Sequence, residues 1–263
     1  LECERTQVQA LLEQAWSRLQ VLREDIVDVR SQAAAASTAE GPYNAERPLA
    51  QAQDALNSST SSDLSAAREA LESAFEGSSD AGEFGSSIRA LQALAAAASF
   101  DFSSAATFSQ EAAVLAGSNA ELHWRNRVQQ AQFLLDHGRE FNDSDALRTL
   151  TTLCEETLLP IAADTRENAD SAWVYDCLGQ AIGILGRRHS GTAMLDDAVH
   201  AFESALELRD RATKPYDWAA TQNHLGNAIG SLGQRQHDLE LLDRAATAFQ
   251  AALEVPVSNA APE

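Results

Sequence analysis

One lysine, Lys214, occurs in 263 residues, and every other basic side chain except histidine is arginine. Proline is nearly as scarce, at 6, and aromatic residues make up only 6%. With few breakers and abundant alanine, helix is favoured almost everywhere, because Ala has the best intrinsic propensity. No stretch alternates apolar and polar residues as a half-buried strand requires. Cysteine is limited to Cys3, Cys154 and Cys177. An odd, small number without regular spacing excludes a disulfide framework and points to a reducing compartment. Neither Cys-x-x-Cys nor His-Glu-x-x-His is present, so no metal site, cofactor or catalytic set is expected. No apolar run approaches the ~18–20 residues of a membrane span. A cytoplasmic protein is the simplest expectation; export after loss of a signal peptide is the alternative. The chain starts at Leu1 without an initiator Met, which predicts a processed product or an excised fragment.

Acid outweighs base, with 39 Asp and Glu against 19 Lys and Arg and a net charge of −20. Such a surface repels phosphate backbones and anionic membranes, so nucleic acid is not an expected partner. A basic protein or peptide segment is. The plainer reading is that the charge keeps an Ala-rich helical chain soluble.

Along the chain, Val8, Leu12, Ala15, Leu19, Leu22, Ile26 and Val29 step by four and three, a heptad seam over about three heptads. The seam predicts one long helix, packed on its own chain or zipped to a second one. "STAEGPYN" (37–44) breaks it, a helix follows over about Glu46 to Asn57, and "NSSTSSD" (57–63) reads as a turn. "LSAAREALESAFEG" places Leu64, Ala67, Leu71 and Phe75 on one helical face. "SSDAGEFGSS" (78–87) reads as a loop and as the internal boundary, separating a helical segment 1–83 from an array 84–255 and a disordered tail 256–263. From Ile88 the helices are expected in pairs. Asp101 is placed to cap one helix, "GREFNDSD" turns the chain, and "ALRTLTTLCEETLL" is expected to stop before Pro160.

The strongest signal is internal. "LGQAIGILGRRHSGTAMLDDAVHAFESALE" from Leu178 and "LGNAIGSLGQRQHDLELLDRAATAFQAALE" from Leu225 align without a gap at an offset of 47 and agree at roughly half their positions. In the second copy Leu225, Gly226 and Ile229 share one helix face, and Ala245, Phe249 and Ala252 share another. Gly226 costs about 1 kcal/mol of helix propensity. A Phe filling the space above it gains roughly 1.5–3 kcal/mol by burial. Close packing therefore wins over propensity.

These residues resemble the tetratricopeptide repeat. Leu225, Gly226, Ala228, Ile229 and Gly233 match its first-helix positions, and Ala245, Phe249, Ala252 and Pro256 its second-helix positions. Leu178, Gly179, Ala181, Ile182, Gly186, Ala198, Phe202 and Ala205 repeat the match. The usual period is 34, so about seven extra residues lie between the helices of a pair and about six between pairs. "LDHG" with "ALRTLTTLCEETLLP", and "LAAAASFDFSSAATFSQEAAVL", resemble two weaker units. The resemblance spans about 88–255. It implies an all-α fold, a right-handed α-solenoid of antiparallel helix pairs behind an N-terminal long-helix segment. It also implies a protein-interaction scaffold or adaptor, or the sensing arm of a larger signalling protein. Arrays of this kind resemble large bacterial proteins.

The resemblance places a concave groove on the first helix of each pair. That face carries Trp173, Asp176 and Gln180 in one unit and Asn223 and Asn227 in the next. Asn side chains there can clamp an extended peptide by donating and accepting together; the same residues can equally cap turns or bridge helices. Some members of the family grip a carboxylate with lysine; with Lys214 alone, that grip would need Arg125 or Arg127. Trp173, Tyr175, Tyr216 and Trp218 read as wedges between units, Cys154 and Cys177 as small core residues. The glycines of "GQAIGILG" lie inside a helix, which excludes a phosphate-cradling loop there. The last helix leaves Leu241 and Leu242 on an uncovered outer face, so the array is expected to continue or to dock there, as a homodimer for example.

Overall fold

The computed structural model describes residues 13, 16–33, 45–58, 61–77, 82–165 and 168–255. Val8, Leu12 and Ala15 of the heptad seam, the break at 37–44 and the tail at 256–263 with Pro256 lie outside them. Among the described residues every regular element is a helix. After α1 (16–33) come α2 (Glu46–Ser58), α3 (Ser61–Gly77), α4 (Glu83–Ala98), α5 (Phe102–Leu115) and α6 (Ala120–Glu140). Then follow α7 (Ser144–Leu153), a π-helical turn (Cys154–Leu158), α8 (Leu159–Thr165), α9 (Asn168–Arg188), α10 (Ala193–Leu208), α11 (Pro215–Gln236) and α12 (Leu239–Leu253). The chain divides into compact units 1–133 and 134–263, a division that falls inside α6 and downstream of the loop at 78–87.

In the first unit, Leu22, Ile26 and Val29 of the seam are buried within the chain itself. Arg23 of α1 donates through Nε and Nη2 to the Leu56 carbonyl at 2.9 and 2.6 Å, covering a carbonyl in the last turn of α2. Helices α2 and α3, and α4 and α5, pack as pairs. Ala67 and Leu71 are buried as the periodicity predicts. The loops are tighter than their composition suggests. Helix α3 begins at Ser61 inside the Ser-rich stretch, and α4 begins at Glu83 inside the 78–87 stretch. Asp101 caps α5, its Oδ1 accepting from the Ser104 amide at 3.2 Å. Arg89 joins three helices: its guanidinium lies 3.6 Å from the Phe75 ring centre and pairs with Glu72 and Glu111 at 3.2 and 2.9 Å.

In the second unit Pro160 does not end the helix. The backbone widens into a π turn, and the Leu159 amide reaches back to the Cys154 carbonyl, which lets the chain absorb a residue with no N–H. Cys154 and Cys177 are both buried, as expected of core residues. The pairs α9–α10 and α11–α12 are held by one repeated contact. A Cβ built on Gly179 would lie 2.7 Å from Cε1 of Phe202; built on Gly226, it would lie 2.7 Å from Cε1 of Phe249. The Phe ring thus occupies the space a side chain would take. One unit earlier, Ala131 and Cys154 stand at the positions matching Gly179 and Phe202. A larger first-helix residue is matched there by a smaller partner. Leu241 and Leu242 correct the expectation of an uncovered outer face: they turn toward α11, within about 3 Å of a Cβ built on Gly233. The strongly exposed leucines of α12 are Leu239 and Leu253.

Successive units are joined by arginine forks. Arg188, in the last turn of α9, donates to the Gly138 carbonyl of α6 at 2.8 Å and to Ser144 Oγ at 3.1 Å. Arg235, at the matching place in α11, donates to the carbonyls of Gly186, Arg187 and Gly191 at 2.8, 2.9 and 2.6 Å. Each fork covers orphan carbonyls at the C-terminal end of the preceding first helix and meets the negative end of its dipole. A planar guanidinium spreads five donors over three nitrogens and so spans carbonyls that a single ammonium cannot bridge as well.

Two substitutions in α11 separate packing from propensity. Gly226→Ala is expected to destabilise the fold, because overpacking of about 1–3 kcal/mol outweighs about 1 kcal/mol of propensity. Gly230→Ala is expected to stabilise it by about 0.5–1 kcal/mol, since its Cβ would meet Ala245 Cβ at an ordinary 3.6 Å. Urea unfolding of both variants checks the opposite signs. Arg235→Lys is expected to lose about 2 kcal/mol, as one ammonium leaves part of the carbonyl set unpaired; the same titration measures it.

Candidate functional site

A cleft of about 380 Å³ opens in the second unit, on the first-helix side of the pairs α9–α10 and α11–α12. Gly179 and Gly183 of α9 line its floor. Gln180 and Ile184 of α9 and Phe202 of α10 form one side. Asn223, His224, Asn227 and Ser231, one stripe of α11, form the other. Arg139 and Arg187 close one end.

Three of the six groove residues expected from the sequence, Gln180, Asn223 and Asn227, meet here. Asn223 and Asn227 are exposed. Asn227 Nδ2 donates to the Asn223 carbonyl of its own helix at 2.9 Å, and its carbonyl accepts from Ser231 Oγ at 2.7 Å. Asn223 has no side-chain partner among the described residues, so it neither caps a turn nor bridges helices there. Trp173 is half-buried and does not line the cleft. Arg125 belongs to the first unit, where it donates to Asp25 Oδ2 at 3.0 Å. Arg127, the other arginine considered for a carboxylate grip, is also in the first unit and donates to Gln130 Oε1 at 2.9 Å.

Asp176 is not part of the cleft wall. Its side chain is 9% exposed and sits beneath the wall as the centre of a polar cluster. Thr221 Oγ1 donates to its Oδ1 at 2.8 Å, His224 Nδ1 lies 3.2 Å from the same oxygen, and Gln180 Nε2 donates to Oδ2 at 2.9 Å. Arg209 Nη1 stands 4.0 Å away and also donates to Thr221 Oγ1. Burial pushes the Asp176 carboxyl upward. The His224 hydrogen bond and charge, then Arg209 and Thr221, outweigh it and hold the group below the usual carboxylate range. Asp176 therefore fixes two cleft side chains, Gln180 and His224. His224 is further held by the Phe202 ring, 5.7 Å between centres, and its Nε2 has no protein partner among the described residues.

The arginines Arg139 and Arg187 are not among the groove residues expected from the sequence. They follow Gly138 and Gly186 in "HGRE" and "LGRR", so they occupy matching positions of successive first helices. The 47–48-residue register, extended one unit upstream, carries that signal.

No family model matches the chain, and no curated protein matches it either. Solved structures do. BtubC (BKLC) from P. vanneervenii superposes with a TM-score of 0.55 at 18% identity, covering 95% of this chain and 96% of that one. A kinesin-light-chain-type protein of Podospora anserina with nearly identical TPR-like repeats gives a TM-score of 0.54 at 17% identity, covering 81% and 99%. The fold is that of the TPR-like repeat proteins. The cleft lies along the first helices of its two pairs, α9 and α11. No described helix is long and apolar enough to cross a membrane.

The buried carboxylate gives a pH prediction. With its folded pKa depressed, Asp176 contributes stability in full above the unfolded carboxylate range of about 4, and loses it as pH falls through the lower folded value. Melting temperatures from pH 7 to pH 3 are expected to fall less steeply in Asp176→Asn than in the parent. At pH 7 the substitution is expected to cost about 3 kcal/mol.

Proposed function

We propose that the chain is a non-catalytic scaffold that holds an extended segment of a partner protein in the α9–α11 cleft. The observation that carries this reading is the pairing of Gln180 with Asn223 and Asn227 across a glycine floor. Amides can donate to and accept from a peptide backbone in one step, and Gly183 puts no side chain in that backbone's way. His224 adds a ring whose orientation the Asp176 bond fixes. None of the cleft-lining residues is acidic, although the chain carries 39 acidic side chains. The lining thus favours a segment with anionic character over the basic one that net charge alone suggests.

Selection of a random peptide library on the intact chain and on an Asn223→Ala/Asn227→Ala variant tests the reading. The parent is expected to enrich a consensus that binds the double variant at least about tenfold more weakly, the loss of two amide contacts. Enrichment of the same sequences on both proteins, with equal affinity, would place binding elsewhere.

A further inference from the structure

We infer that the arginine end of the cleft is a subsite for a phosphomonoester dianion. The inference rests on the reading of the cleft as the binding site. Arg139 and Arg187 both line the cleft, and neither has a hydrogen-bond or ion-pair partner among the described residues. Their neighbour Arg188 is spent on the Gly138 carbonyl and Ser144. Arg187 does not reach away into solvent: its Nη1 would lie 3.7 Å from a Cβ on Gly183, so the guanidinium lies back over the cleft floor. Other exposed arginines of the second unit have anions. Arg211 pairs with Glu254 at 3.2 Å, Arg244 with Glu203 at 3.2 Å and Arg148 with Asp145 at 2.5 Å. In a chain of net charge −20, two unmatched guanidinium groups in one cleft are a local reversal of sign.

The arrangement is also electrostatically costly when empty. Burial, then the charges of Arg188 and Arg139, holds the Arg187 pKa below its ordinary value. A bound anion relieves that repulsion. The charge and the donor geometry select the class. One guanidinium fork satisfies a planar carboxylate, whereas two forks from different helices suit the three oxygens and double charge of a phosphate. Asn227 of the same cleft keeps a second Nδ2 hydrogen as a neutral donor for a further oxygen. The phosphate can come from a phosphorylated side chain of the partner or from a free small molecule.

Inorganic phosphate is the first probe, titrated against the intact chain at constant ionic strength, with acetate as the comparison and thermal melting as the readout. A saturable rise in melting temperature is expected with phosphate and not with acetate. Arg139→Gln and Arg187→Gln are each expected to weaken the phosphate response at least about tenfold, and Arg244→Gln to leave it unchanged. Melting without phosphate confirms that each variant is folded. An equal response to acetate, or an undiminished one in both cleft variants, overturns the inference. A short phosphoserine peptide binding at least about tenfold tighter than phosphorylethanolamine assigns the source to a partner chain, and equal affinities assign it to a small molecule. If library peptides bind through Asn223 and Asn227 while phosphate has no effect, the scaffold reading stands and the phosphate subsite falls.

Discussion

A benzyl ring pressed onto bare helix backbone is the contact on which the rest of the second unit depends. Phe202 over Gly179 and Phe249 over Gly226 set the distance between the helices of each pair. Close approach at that point brings Ala198, Ala228, Ile229 and Ala245 into one buried cluster with Val199 and Leu225. It also leaves the cleft where it is. Gly179 and the Phe202 ring it receives both line the cleft, so packing and access share a contact. The trade is physically direct: a helix accepts a poor propensity residue because the ring buries far more apolar area than the propensity costs.

The second shared element is the buried carboxylate. Asp176 draws groups from α9, α11 and the end of α10 onto one charge, and the groups it holds include two that line the cleft. Such a centre is costly to bury unless each lone pair is used. Here it is surrounded by donors, so the same bonds that stabilise the junction also fix Gln180 and His224. Rigidity in the wall lowers the ordering cost that a bound segment would otherwise incur.

Much of this was legible in the residues. The 47-residue offset located both Gly–Phe contacts, and the helix pairing followed from it. The boundaries that strayed did so for local reasons. Pro160 reads as a stop, yet a π turn accommodates it; the Ser-rich stretches read as long turns, yet both also supply first-turn residues of helices. For the cleft, Gln180, Asn223 and Asn227 followed from their place on the first helices. Asp176 shared their face in sequence, but periodicity cannot tell a wall residue from one beneath it when hydrogen-bond donors arrive from a neighbouring helix. Leu241 and Leu242 misled for the same reason: which side of α12 meets α11 is fixed by the close approach at Gly233. Arg139 and Arg187 were not legible as a pair, because Arg139 lies in a weaker copy and the last copy has Gln234 at the matching position.

The arginine forks have a consequence for how such a chain grows. The α9–α10 unit carries both halves of a junction: Arg188, which reaches back, and the Gly186 and Arg187 carbonyls that Arg235 meets. Copying one whole unit in the gene therefore copies a working joint, with no new surface to invent. A duplication of any other length would separate fork from carbonyl and Phe from Gly together. The architecture thus lengthens in whole steps, and a copy can diverge along its cleft while its joints stay compatible.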